Sequence, residues 1–324
     1  MDRVGICGAG RISGFHASAF QRAGLEVVAV ADPRLEAAAA LATVYGAKPY
    51  SGLGEMLDAE QLEVVSIATP HHLHLPQAMM ALDRGVDVFV DKPLALTPRD
   101  GAAILDRARS LGRVVGINHN LLFHPAVIRA REILDTGILG TVVSIDAWSL
   151  GWLDIAPWDF RRDSAMAGGG AWFDAAPHLI YTLAALAGPF ERLDAWGATG
   201  PSRVGGEDSS VAIGRFESGA VVSLRVSYAY SAPASDLPWP AGWRQGIELN
   251  ATEGAVRLTV TPTGGLDTYH VGDPHWTHED LDVDFGVTFD GAVDDFARRR
   301  QGAAATVSPA ASLRTLELAY NAMK

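Results

Sequence analysis

One cysteine, Cys7, stands in 324 residues, so no internal disulfide can form and a reducing compartment is expected. No stretch approaches ~18 consecutive apolar residues, which leaves a transmembrane helix without support. Basic residues are scarce too. Lys and Arg total 26 against 38 Asp and Glu, for a net charge of −12. No basic run is long enough to follow a phosphate backbone, so neither nucleic acid nor an anionic membrane is an expected partner. The opening Met1-Asp2-Arg3-Val4 enters a strand-like run with no charged or apolar leader, which points to a cytoplasmic protein. Internal repeats are also missing.

What is present suits a globular enzyme: 48% hydrophobic and 20% charged residues. The length exceeds what one core usually organises, so two domains are expected, residues 1–120 and 121–324. In the first, β-branched runs at Val4–Cys7, Val27–Ala31, Val64–Ala68, Val86–Val90 and Val114–Ile117 read as buried parallel strands. Helical patterns at Ser13–Ala23, Leu35–Tyr45, Leu75–Arg84 and Pro98–Leu111 separate them, and Thr97 is a natural N-cap. This alternation predicts an α/β doubly wound Rossmann sheet. Beyond residue 120 the pattern becomes α+β. Helices are expected at Pro125–Thr136 and Ala171–Ala187, with strands at Val142–Trp148, Arg192–Gly197, Ser209–Phe216, Ala220–Ser227, Gly246–Asn250, Val256–Val260 and Thr268–Val271. That is a predominantly antiparallel, open-faced sheet. Ser231–Gly242, with its prolines, reads as a loop. Helices at Val287–Arg300 and Pro309–Met323 close the chain, the last one available to pack back on the first domain.

The first strand runs into Gly8-Ala9-Gly10-Arg11-Ile12-Ser13 and a helix. Glycine at the first two positions allows a tight turn and close approach of a pyrophosphate to backbone N–H groups, with Arg11 and Ile12 opening the helix over it. Ser13 takes the place of the third glycine. Asp32 ends the second strand, close to the ~20-residue spacing of a ribose-binding carboxylate. It favours NAD, while Arg34 keeps NADP open as a phosphate partner.

Three further motifs follow: Ala68-Thr69-Pro70-His71-His72-Leu73-His74, then Asp91-Lys92-Pro93, then Gly168-Gly169-Gly170-Ala171-Trp172-Phe173-Asp174-Ala175-Ala176-Pro177-His178. In this order, with Thr252-Glu253-Gly254 opening a late strand, the chain resembles the family of glucose–fructose oxidoreductase, inositol 2-dehydrogenase and the rhizopine-catabolism protein MocA. The resemblance implies that Lys92, Asp174 and His178 are catalytic and that Thr69, Pro70, His74, Asp91 and Asn120 line the cofactor. Asp174 and His178, four apart, share a helix face. His178 can take the proton of a substrate hydroxyl, and Lys92 can stabilise alkoxide character on the same oxygen. The three clustered histidines lack a carboxylate or cysteine at ligand spacing, so no metal is expected.

Departures from the family pattern bear on substrate. Asp91 stands for the usual glutamate, and His71 for an asparagine. Tyr181 stands for an aspartate, and Ala176-Pro177 for glycine and a small residue. Pro177 implies either a first-turn position or a local bend. Asn120-Leu121-Leu122-Phe123-His124-Pro125 keeps the asparagine but lacks the family's arginines. Trp148, Trp152, Trp158 and Trp172 surround the motifs in sequence. Trp152 and Trp158 are candidate sugar-stacking faces, and Arg161 and Arg162 are candidate substrate ligands. The expected reaction is hydride transfer between a secondary alcohol of a sugar, cyclitol or related polyol and NAD(P). A glycosidase acting by transient oxidation and a non-catalytic dinucleotide-binding regulator are the alternatives. The open sheet face predicts a homodimer or homotetramer.

Overall fold

The computed structural model describes residues 1–153, 155–230, 243–261 and 263–324, so the expected loop Ser231–Gly242 lies outside the described residues. Contacts divide the chain into two units. One comprises Met1–Asn120 with Gly286–Leu316, the other Leu121–Phe285 with Glu317–Lys324. The segment Gly286–Leu316, which the sequence pattern groups with the second half, therefore sits in the first unit.

In the first unit β1 (Arg3–Cys7), β2 (Glu26–Ala31), β3 (Lys48–Tyr50), β4 (Val64–Ile67), β5 (Asp87–Asp91) and β6 (Val115–Asn118) form one sheet. Its order is β3-β2-β1-β4-β5-β6, with every pair parallel. Val4, Ile6, Val30, Val64, Val65 and Val88 are fully buried, as strands covered on both faces require. Helices α1 (Arg11–Arg22), α2 (Leu35–Tyr45), α3 (Leu53–Ala59), α4 (His74–Asp83) and α5 (Pro98–Leu111) make the crossovers. The strand order reverses between β1 and β4, the point where dinucleotides bind in such sheets. Two strands end one residue later than the apolar runs suggest. That shift puts Asp91 and Asn118 into the sheet, directly paired. β3 and α3 were not anticipated, because β3 is three largely exposed residues around Pro49. Gly116 shows why the helix Gly286–Arg300 belongs here: a Cβ at Gly116 would lie 2.5 Å from the Phe296 ring.

In the second unit α6 (Pro125–Asp135) leads into β7 (Val142–Leu150), followed by α7 (Ser164–Ala167) and α8 (Ala171–Ala187). Then come β8 (Phe190–Ala198), β9 (Ser209–Phe216), β10 (Val221–Ser227), β11 (Arg244–Ala251), β12 (Gly254–Thr261), β13 (Gly265–His270) and β14 (Thr277–Asp280). The eight strands run β14-β13-β12-β11-β7-β10-β9-β8, all neighbours antiparallel except β7 and β10. α6 and α8 cover one face, where Ile145, Ala147, Leu224, Ile247 and Leu258 meet Leu179, Ile180 and Leu183. Trp196, Val211, Ile213 and Val221 point the other way and are exposed. Pro177 lies in the interior of α8 and not in its first turn.

α6 is capped by His124, whose buried ring accepts the Ala126 N–H on Nδ1 at 3.2 Å. Burial lowers the His124 pKa to about 4, against an upward pull from Asp282. The cap needs the unprotonated ring. A histidine in the unfolded chain titrates near ~6.5. The cap's stability is therefore complete above that pH and is lost as pH falls towards 4. The pH-dependent loss should amount to ~3 kcal/mol, and His124→Asn, which caps without titrating, should flatten the profile in this window. Urea unfolding of both proteins at several pH values between 4 and 7 measures it. Parallel profiles for the two would refute the assignment.

Candidate active site

The loop after β1 is shaped by its two glycines. Gly8 has φ +100°, and a Cβ there would lie 2.6 Å from the Ala68 carbonyl oxygen, so no other residue fits without strain. A Cβ at Gly10 would meet nothing within 4 Å, leaving open space over the start of α1. Ser13 is fully buried, and its Oγ accepts the Gly10 N–H at 3.1 Å, so the third position holds the turn by a side chain. Asp32, at the end of β2, braces the same loop. Its Oδ2 accepts the Ala9 N–H at 2.8 Å and its Oδ1 the Arg34 N–H at 2.9 Å. A carboxylate has about four acceptor sites, so ribose hydroxyls can still be bound. The exposed Arg34 guanidinium stands 3.4 Å from Asp32. Burial, with Asp32 nearby, pushes the Cys7 thiol up to about 12, so Cys7 is an apolar core residue.

The turns after β4 and β5 are tied by His74. Its ring nitrogens lie 2.8 Å from the Pro93 carbonyl oxygen and 2.9 Å from that of Thr69. Burial pushes its pKa down, against an upward pull from the two carbonyls and Asp91. Thr69 Oγ1 donates to Gln77 at 2.6 Å. Pro70 precedes a short 3-10 turn, His71–Leu73, in which His71 is buried. Lys92 follows β5 and is only 7% exposed; the Lys92-Pro93 peptide is cis. Beside it is Asp91. Burial alone would raise the Asp91 pKa, but His16, Lys92 and Asn118 hold it well below the usual carboxylate range. Asn120 is buried after β6, its Nδ2 donating to Thr288 Oγ1 at 2.8 Å. Neither His16 nor Asn118 was singled out from sequence.

In the second unit the triple glycine leads into α8. A Cβ at Gly170 would overlap the Glu207 carbonyl oxygen at 1.9 Å. Glu207 then caps the helix: its carbonyl accepts the Ala171 N–H at 2.7 Å, and its carboxylate accepts the Trp172 N–H at 3.0 Å and the Gly170 N–H at 3.3 Å. Asp174, one turn on, is 4% exposed. Its Oδ2 accepts from Arg161 Nε at 2.7 Å and from the Tyr228 hydroxyl at 2.6 Å. Arg161 Nη1 also reaches Asp159 at 3.3 Å. Burial works against the Arg161 charge, but Asp174, Tyr228 and Asp159 raise its pKa. Burial and the Asp174 charge push the Tyr228 pKa well above 10, so its hydroxyl remains a donor. Arg161 is thus an anchor of Asp174. Arg162 is half-buried, as is His178 on the same face of α8 as Asp174. Trp152 and Trp158 are 41% and 78% exposed. Trp172 is core: it is 1% exposed, with its indole N–H donated to the Ala319 carbonyl at 2.9 Å.

A glycine loop at the point where the strand order reverses, a carboxylate after the neighbouring β2 and a buried lysine after β5 are features of a dinucleotide-binding oxidoreductase. Residues 3–119 match the model of the oxidoreductase family with an NAD-binding Rossmann fold, and residues 127–257 match the GFO/IDH/MocA C-terminal domain. The chain belongs to the GFO/IDH/MocA oxidoreductase family. It is 31% identical to D-glucoside 3-dehydrogenase of Escherichia coli K12, over 70% of each chain. It is 27% identical to 1,5-anhydro-D-fructose reductase of Ensifer adhaerens, over 82% of this chain and 79% of that one. The fold matches a levoglucosan dehydrogenase solved with NADH and levoglucosan, with a TM-score of 0.86 at 22% identity, over 98% of this chain and 95% of that one. NAD is the cofactor that the glycine loop and Asp32 fit.

The Asp174 anchor makes a specific stability claim. Tyr228→Phe removes a donor to a buried carboxylate and should cost ~1.5–3 kcal/mol, while NAD affinity stays within twofold, because the cofactor cradle lies in the other unit. Urea unfolding and NAD titration measure the two effects. A stability loss below ~0.5 kcal/mol would show that the hydroxyl does not hold Asp174.

Proposed function

We propose that the protein is an NAD-dependent dehydrogenase of a secondary alcohol on a sugar, cyclitol or related polyol. The observation that carries this reading is the buried Lys92 beside an ionised Asp91 at the end of β5, in the sheet whose first strand leads into the glycine loop. Bound NAD supplies the hydride acceptor. Lys92 hydrogen-bonds the substrate oxygen and stabilises it as alkoxide character develops. His178 takes the hydroxyl proton as the carbinol hydrogen leaves as hydride, so the products are a ketone, NADH and one proton. Asp174, fixed by Arg161 and Tyr228, orients substrate on the α8 face. Trp152 and Trp158 offer faces to sugar C–H groups, and Arg162 offers donors to hydroxyls. The named relatives act on glucosides and anhydro sugars, which supports a sugar-like substrate. Asp32 favours NAD by accepting ribose hydroxyls and repelling a 2′-phosphate.

A panel of glucosides, anhydro sugars and inositols with NAD and with NADP, read at the reduced-nicotinamide band, should give turnover with NAD preferred. On the fastest substrate, His178→Ala should lower kcat by ~10²–10⁴, and Lys92→Met by ~10²–10³. NAD affinity should stay within a few-fold in both. Near-normal turnover in either variant removes that residue from the chemistry.

We also propose that the outer sheet face of the second unit associates with a second copy, giving a homodimer or homotetramer. Trp196 and Val211 are paired across β8 and β9, and Ile213 is 59% exposed beside them. Light scattering at micromolar concentration should report an oligomer that Ile213→Asp with Trp196→Asp weakens towards monomer. A monomeric unmodified protein refutes this.

A further inference from the structure

We propose that His16 is a positioning residue for the reaction, acting through Asn118 and Asp91 on Lys92; this rests on the catalytic reading of Lys92. His16 is on α1, the helix that starts at the glycine loop, and it is fully buried. Its ring is packed against Phe89, at 5.3 Å between centroids, and against Phe289, at 5.6 Å. In that apolar cage three polar groups from three strands converge on it. Nδ1 is 2.8 Å from the Ser66 hydroxyl in β4. Nε2 is 3.2 Å from Asn118 Nδ2 at the end of β6, and 3.5 Å from Asp91 Oδ1 at the end of β5.

The partners assign the proton. Asn118 Nδ2 donates to Asp91 Oδ1 at 2.9 Å, which orients the amide. Its second hydrogen then points at His16 Nε2, which must accept. Nδ1 therefore carries the ring proton and donates it to Ser66 Oγ. The chain runs from Asp91 through Asn118 and His16 to Ser66, and each of the last three residues is no more than 1% exposed. A buried amide that loses one partner is left with an unsatisfied hydrogen, at a cost that favours its rotation. Asn118 held from one side only no longer fixes the Asp91 carboxylate. Asp91 is the negative charge beside the buried Lys92 ammonium. A buried charge whose counter-charge moves will follow it, so the ring sets where Lys92 presents its donors. His16 touches neither substrate nor the reacting atoms. It connects the helix that holds the pyrophosphate to the strand end that carries the chemistry.

The test has two readouts. By nitrogen NMR of the full-length protein at pH 7.5, the His16 ring should be the Nδ1–H tautomer; an Nε2–H ring overturns the network. In kinetics with NAD and the fastest sugar of the panel, His16→Leu keeps the volume but not the polar atoms. It should lower kcat roughly 10–100-fold, the range seen when a partner that orients a reacting group is lost. The KM for NAD should change less than threefold. Asn118→Leu should do the same, and the double variant should be no slower than either single one. His16→Gln, which restores an acceptor near Nε2, should recover most of the rate. Should His16→Leu fail to fold, Asn118→Leu against His16→Gln carries the comparison. If Lys92→Met is slow while His16→Leu and Asn118→Leu keep kcat within twofold, this inference alone falls. Should Lys92→Met itself turn over normally, the reading of Lys92 falls and takes this inference with it. Multiplying losses in the double variant also overturn it.

Discussion

A half-buried carboxylate kept ionised at the end of an otherwise apolar strand is the constraint from which the first unit can be understood. Asp91 ends a strand flanked on both sides by parallel neighbours, and the sheet register sets Asn118 directly beside it. Burial opposes its charge, so the surrounding donors have to be in place before the charge can persist. The direct donor is the Asn118 amide in β6, steadied from behind by the His16 ring of α1 and by Ser66 in β4. The order β1-β4-β5-β6 therefore does more than fill a core. It brings separate strand ends to one half-buried charge.

The second unit solves a similar problem differently. Asp174 is a more deeply buried carboxylate, and its partners are strong donors on a single oxygen, Arg161 and Tyr228. Charge-assisted bonds of this kind are short and directional. They fix the side chain against α8, and Glu207 fixes where α8 begins. The position of His178 follows from that start, four residues along the same face. Arg161 thus anchors Asp174 against α8.

Much of this was legible in the sequence where the signal is local. The glycine loop, Asp32, Asp91-Lys92-Pro93 and the Asp174–His178 spacing are each contained within a few residues, and the parallel strands announced themselves by β-branched runs. The missed residues share a different property. His16, Ser66 and Asn118 look like an ordinary helix histidine, strand serine and strand asparagine, and only the sheet topology brings them together. Glu207 and Tyr228 meet α8 from loops and strands far along the chain. Strand ends slipped by one residue because Asp91 and Asn118 are polar, and an apolar run stops before them. The helix Gly286–Arg300 joins the first unit through packing of Phe296 over Gly116, a contact no local periodicity encodes.

The capping of α8 also sets a limit on what can be held there. Helix N-termini commonly attract phosphates, because backbone N–H groups and the helix dipole converge at one point. Here the chain's own Glu207 already occupies that point and supplies a full negative charge. An approaching phosphoryl group meets repulsion where other helices offer donors. The pole of α8 is neutralised from within, by a carboxylate the chain itself supplies.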